Sequence, residues 1–260
     1  MSNTKSGINS STLKILAMAV MLIDHIGAIL VIAYMNTITD YVVYNRANSV
    51  YEILRNIGRV AFPIFVYQLV LGNRYTKDKA KHIKLLLIFT LISEIPFDLA
   101  FSNTLIDIKH QSTLWTLLIG SLMMCCLDFI NREKLLIVPS AFTILVFCVI
   151  THFSRSDYGF SGIILVAVIY FFIEYREIMI YAAPVTFLIA YFIMKYINYH
   201  NMEKAFSMVI SESLSTIAFL LIYYDNGVRK GGKALKWIGY LFYPAHFFIL
   251  FLIKRLIPYF

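Results

Sequence analysis

The chain has 260 residues, 60% of them apolar and only 15% charged, with a formal net charge of +8. A soluble domain carries about 25% charged residues, whereas here Phe, Tyr, Ile and Leu gather in blocks of about 16 to 22 residues, the length that crosses ~30 Å of hydrocarbon as a helix. This excludes a soluble enzyme and a disulfide scaffold built on three cysteines; nucleic acid is not needed to explain the basic residues, because short loops between apolar blocks and anionic lipid account for them.

Nine spans are expected in chain order, at about 13–34, 56–74, 83–101, 113–131, 135–153, 159–175, 178–197, 205–224 and 237–257. The fold class is therefore an all-α integral membrane protein, a single polytopic bundle over 1–260. The first block follows Lys5 and Lys14 without a small-residue cleavage site, so it is expected to span rather than be removed. It carries Asp24 and His25 in its middle, an expensive pair that reads as functional by default. The connection at 35–55 is polar and tyrosine-rich (Tyr41, Tyr44, Tyr51) and is expected to lie at an interface. Cys125, Cys126 and Cys148 fall inside spans, where packing is the expected role. His82, His110, His152 and His200 fall at span ends and are expected to be solvated.

Lysine and arginine set the orientation. The side holding the N-terminus collects 14 of them, including the runs at 74–84 and 229–236, and the other side collects 8, with Arg59 set aside as intramembrane. The excess places the N-terminus in the cytoplasm.

Helical rise gives each polar residue a depth. From the cytoplasmic edge His25 lies ~18 Å up, Glu94 ~16 Å, Asp98 ~22 Å, His246 ~14 Å and Glu212 ~20 Å, so five ionisable groups from four spans share about one and a half turns of depth. Asp24 lies ~100° round the helix from His25, which disfavours a pair between them, and a partner on another span, such as Arg59, is expected. Glu94 and Asp98 share one face, with Pro96 freeing a carbonyl between them; the plainer reading is a bent helix with hydrated carboxylates. Glu212 lies among serines that can satisfy it, and His246 follows Pro244. Lys14 precedes His25 by three turns plus about 20°, so both project from one face ~16 Å apart. A cation at the mouth and a base at depth suit a long ligand with an anionic head, although snorkelling alone also explains Lys14.

The runs LKILAMAVMLIDHIGA (13–28), IGRVAFPIFVYQLVLG (57–72) and LISEIPFDLAF (91–101) resemble the TraX family, and STLWTLLIG (112–120), DYGFSGIILV (157–166), YDNGVRKG (224–231) and YLFYPAHFFIL (240–250) extend the resemblance in order along the chain. The Lys14-to-His25 spacing is also similar to an Arg/Lys-x10-His signature of transmembrane acyl-CoA acyltransferases. The resemblance implies acyl transfer from cytoplasmic acyl-CoA, most simply acetyl-CoA as co-substrate, to an amine or hydroxyl acceptor such as a pilin N-terminus, a surface glycan or a small molecule. It implies His25 as general base, Glu94 or Asp98 orienting its ring, Arg59 anchoring Asp24 or stabilising an oxyanion, and Lys14, Arg229 and Lys230 meeting the coenzyme; His246, at a similar depth, is expected to be functional. No metal and no nucleic acid are implied. The Lys, Asn, Ile and Tyr content points to a bacterial plasma membrane. A proton-coupled transporter using the same Asp, Glu and His residues is the alternative, although no inverted repeat is evident; a structural scaffold gives no reason for polar residues to gather at one depth.

Overall fold

The computed structural model describes residues 7–132, 134–228 and 232–257. Among them the chain is helical, with two isolated β-bridges between loops and no strand. Short polar side chains start several helices by taking amide hydrogens that no helical carbonyl can reach. Asn9 accepts from the Thr12 N–H (2.7 Å) to open α1 (Ser10–His25), Asp40 accepts from the Val42 and Val43 N–H groups to open α3 (Tyr41–Gly58), and Asp78 caps α5 (Lys79–Ser102). Between α1 and α3, a π-helical segment (Ile26–Val31) runs on into α2 (Ile32–Met35). After a break at Arg59 and Val60 comes α4 (Ala61–Tyr75).

The remaining helices are α6 (Thr113–Ile130), α7 (Ile137–Phe153), α8 (Gly159–Phe172), α9 (Arg176–Tyr199), α10 (Met202–Glu212), α11 (Ile217–Tyr223) and α12 (Gly232–Lys254), with a 3-10 turn at Ser213–Thr216.

Seven helices among the described residues are long and apolar enough to cross a membrane: Ser10–Met35, Tyr41–Tyr75, Lys79–Ser102, Thr113–Ile130, Arg176–Tyr199, Met202–Tyr223 and Gly232–Lys254. The chain is a multi-pass membrane protein. Of the nine expected spans, seven correspond to these helices, and the other two correspond to shorter apolar helices, α7 and α8, of 17 and 14 residues. The shortness of α8 has a physical reason. It packs against α4, α6, α7 and α9, and Ile163, Leu165, Val166 and Ile169 are fully buried. A helix apolar all round and sheathed by protein answers to its neighbours rather than to lipid thickness.

Most of the connection at 35–55 is helical, as α3, which packs against α1 and the π-helical segment. Ala47 and Gly58 are buried and Tyr51, Leu54 and Arg55 half-buried, a helical stripe whose outer face carries Arg46 and Glu52.

Helix ends gather at two faces. The near face holds the start of α1, the end of α4, and the starts of α5, α9 and α12. Asp225, 2% exposed, binds it together by accepting from the Ser10 hydroxyl (2.8 Å) and the Tyr67 hydroxyl (2.9 Å). The Ile8 N–H donates to the Tyr224 carbonyl (2.9 Å), and Arg176 donates to the Asp225 carbonyl. At the far face the loops 103–112 and 154–158 are joined by bonds from the Gln111 N–H to the Arg155 carbonyl and from the Asp157 N–H to the Gln111 carbonyl, both 3.1 Å.

Candidate functional site

A cavity of ≈ 190 Å3 lies between α1, α4, α5, α6 and α12, and both Lys14 and His25 line it. At the near face it shares Lys14, Gln68, His82 and Tyr240 with a wider vestibule of ≈ 420 Å3, also lined by Ser11, Thr76 and Lys236. Met21, Phe62, Phe65 and Leu117 line it further in, and Asp24, Thr113, Asp157 and Tyr158 also face it.

Two imidazoles from opposite ends of the chain meet here. His25 Nδ1 lies 2.8 Å from His246 Nε2, and His246 Nδ1 lies 2.8 Å from the Phe242 carbonyl. A carbonyl only accepts, so His246 Nδ1 carries the hydrogen and, in the neutral ring, His246 Nε2 must accept. His25 Nδ1 is then the donor, which leaves His25 Nε2 with a free lone pair. That nitrogen is 3.7 Å from Asp24 Oδ2. Phe242 stacks on the His246 ring at 5.0 Å and Phe247 covers His25 at 4.5 Å, so both rings are held in orientation. Just past His25 the helix changes pitch, at the π-helical segment, a distortion that often accompanies functional sites.

Asp24 pairs with Arg55, and Arg59 pairs with fully buried Glu212 at 3.0 Å. This corrects two expectations. Asp24 does approach His25 although they are sequence neighbours, and the arginine on Asp24 is Arg55 rather than Arg59. Asp24 has room because Gly58 of α3 faces it; a methyl group at Gly58 would overlap the carboxylate. Lys14 Nζ donates to the Leu235 carbonyl (3.2 Å) and lies across Gly239, which is bare in the same sense.

Glu94 and Asp98 do not reach His25, so the expectation that either orients its ring is overturned. Glu94 accepts from both the N–H and the hydroxyl of Ser112 (2.8 Å each), and Asp98 accepts from the Asp107 N–H (2.8 Å). They hold the loop 103–112. The common depth of the five ionisable groups therefore resolves into three separate places: His25 with His246, Glu94 with Asp98, and Glu212 with Arg59.

Two histidines expected to be solvated are engaged. His82 lines the cavity, with Nδ1 3.5 Å from the Tyr240 hydroxyl and Nε2 buried without a partner among the described residues. His110 pairs with Asp157 at 3.6 Å, and that hydrogen-bonded carboxylate raises its pKa above the ordinary histidine value. Cys126, expected to pack inside a span, is exposed. Arg229 and Lys230 lie outside the described residues. Among those described, no group of three or more His, Cys, Asp or Glu is placed to hold a metal ion.

Sequence reasoning missed Arg55, Asp157 and Tyr158 as cavity or site residues. Arg55 was legible in principle, since Arg55 and Arg59 stand four apart in YEILRNIGR, the spacing of one helical face.

The fold and this cavity define a polytopic helical membrane protein with a largely apolar passage that reaches His25, itself bonded to the buried His246. The family model described as TraX protein matches residues 9–254, and the chain belongs to the TraX family. Membership suggests a function related to pilin modification. No curated protein and no solved structure matches the chain.

Proposed function

We propose that the protein is a membrane-embedded acyltransferase that moves an acetyl group from acetyl-CoA to an amine or hydroxyl, with His25 as the general base. One observation carries the reading: the cavity begins at a basic near-face mouth and ends on a histidine whose free nitrogen is set by its neighbour. Lys14 and Lys236 at that mouth suit the phosphates of a coenzyme, and the narrow passage ~16 Å deep suits an extended arm. The lysine excess makes the near face cytoplasmic, where acyl-CoA is found.

In this mechanism His25 Nε2 takes the proton of the acceptor as its oxygen or nitrogen attacks the thioester carbonyl. The imidazolium so formed faces Asp24 at 3.7 Å, whose charge favours it. Collapse of the tetrahedral intermediate breaks the C–S bond, and His25 returns the proton to the coenzyme sulfur. His246 bonds to His25 and to the Phe242 carbonyl and is not part of the cavity lining, so it is a positioning residue here. Asp24 is held by Arg55, and Arg59 acts through its pair with Glu212.

Purified protein in detergent, given labelled acetyl-CoA, tests the reading. Binding and slow thioester hydrolysis are expected, and His25→Ala should abolish hydrolysis by ~10²-fold or more, the scale of general-base catalysis, while leaving binding in place. No binding of acetyl-CoA, or hydrolysis indifferent to His25→Ala, removes the proposal and returns the Asp24 and His25 pair to the transport reading.

A further inference from the structure

Between its basic mouth and His25 the passage is a poor place for an amide. Met18, Met21, Phe65, Leu69, Leu86 and Phe89 line it, and a polar group carried in among such side chains loses its hydration unless something replaces it. The arm of an acyl-CoA brings two amides, an inner one beside the thioester and an outer one further back. The outer amide trails the sulfur by about seven bonds, or ~9 Å at ~1.25 Å of advance per bond. With the thioester at His25 and the phosphates ~16 Å away at Lys14, that amide comes to rest on the Lys14 side of the passage.

One side chain there has a hydrogen-bonding atom to spare. His82 stands where passage and vestibule meet and lines both. Its Nδ1 lies 3.5 Å from the hydroxyl of Tyr240, whose ring stacks on Phe89 at 4.9 Å. Its Nε2 is buried with no partner among the described residues, an exception in folded proteins that calls for an explanation. The Nε2 edge faces Gly72, where an added Cβ would stand 3.9 Å from Cε1 and Nε2, and Gly72 itself lines the vestibule. That edge therefore lies on the side from which an arm enters. Gln68 and Lys14 line both spaces as well, but they already donate to the Ser10 carbonyl (3.1 Å) and the Leu235 carbonyl (3.2 Å).

The geometry points to His82 as a specificity residue for the donor: its Nε2 hydrogen-bonds the outer amide of the coenzyme arm and selects an amide-bearing arm over a plain alkyl thioester. This rests on the acyl-transfer reading. Either tautomer serves, because Nε2 is left as one donor or one acceptor and an amide offers both. His82 lies far from the reacting atoms, so it sets which donor binds and takes no proton from it.

A donor altered at one group separates this role from a ring that merely fills space. Acetyl-CoA is compared with an analogue whose outer amide is replaced by a plain ethylene unit, phosphates and thioester kept, and KM and kcat of hydrolysis are read for each. The native protein should favour acetyl-CoA by about tenfold in KM, the worth of one buried hydrogen bond, with kcat alike. His82→Leu should raise KM for acetyl-CoA about tenfold and leave KM for the analogue and both kcat values in place. His82→Gln, whose amide reaches the Nε2 position, should restore most of the preference. His82→Asn reaches only the Nδ1 position and repeats the loss where His82→Leu folds poorly. Equal weakening of both donors, weakening of neither, or a native protein that takes both alike overturns this inference and leaves acyl transfer standing. A native protein that binds no acetyl-CoA removes the acyl-transfer reading, and this inference with it.

Discussion

At the scale of single residues, two glycines matter because of what they lack. Gly58 faces Asp24 and Gly239 faces Lys14, and the consequences of filling them differ. A Cβ at Gly58 meets the Asp24 Cβ as well as its carboxylate, so the clash reaches backbone-anchored atoms that cannot swing away. Gly58→Ala should destabilise the protein by about 1–3 kcal/mol, the usual cost of overpacking, and pull Asp24 off Arg55. A Cβ at Gly239 meets only the tip of the Lys14 side chain, which can move. Gly239→Ala should therefore leave stability within about 0.5 kcal/mol while weakening acetyl-CoA binding about tenfold, or about 1.4 kcal/mol. Thermal unfolding in detergent beside a binding titration reads both, and equal effects at the two positions would contradict the distinction.

At the scale of elements, the far-face loop 103–112 carries a titration. The His110 pKa is raised by Asp157, so the pair stabilises the fold fully below the unfolded histidine value and loses that stabilisation as pH climbs through the raised folded value. Both groups are about half exposed, so the effect is a modest one. The unfolding midpoint should fall as pH rises across that window, and His110→Gln should flatten that component of the profile; an unchanged slope would show that the pair contributes nothing. The helices also explain which parts of the site were legible. Alternating apolar blocks made the helical class readable, and the costly IDH run singled out His25. The pairings were hidden because rise along a helix measures depth and says nothing about azimuth. Azimuth shifts where pitch shifts, and the π-helical segment after His25, the break at Arg59 and the 3-10 turn after Glu212 all sit beside the residues in question. The helix α3 was hidden for another reason: the polar, tyrosine-rich composition of 35–55 masks the narrow buried stripe from Ala47 to Gly58.

At the scale of the whole molecule, Asp225 joins the chain's two ends. It links the entry to α1 with α4, α9 and the segment before α12, partners separated by up to 215 positions in sequence. Asp225→Ala strands the buried Ser10 and Tyr67 hydroxyls, each worth about 1–3 kcal/mol when left unpaired. A large fall in the unfolding midpoint is expected, with Asp225→Asn falling less because it keeps one acceptor oxygen. A midpoint unmoved by alanine would mean that the near face is held by packing alone. This pin was not readable from the YDNGVRKG run, since its partners are distant in sequence.

The passage also bears on bioenergetics. A water-filled cavity running deep into a membrane protein would shorten the barrier that keeps ions apart. Its central walls, Met21, Phe62, Phe65 and Leu117, are hydrocarbon and aromatic, and a tight greasy constriction sheds its water. Insulation then comes from dryness, and swapping any of these four for a small polar side chain should let water in and raise proton permeability in sealed vesicles.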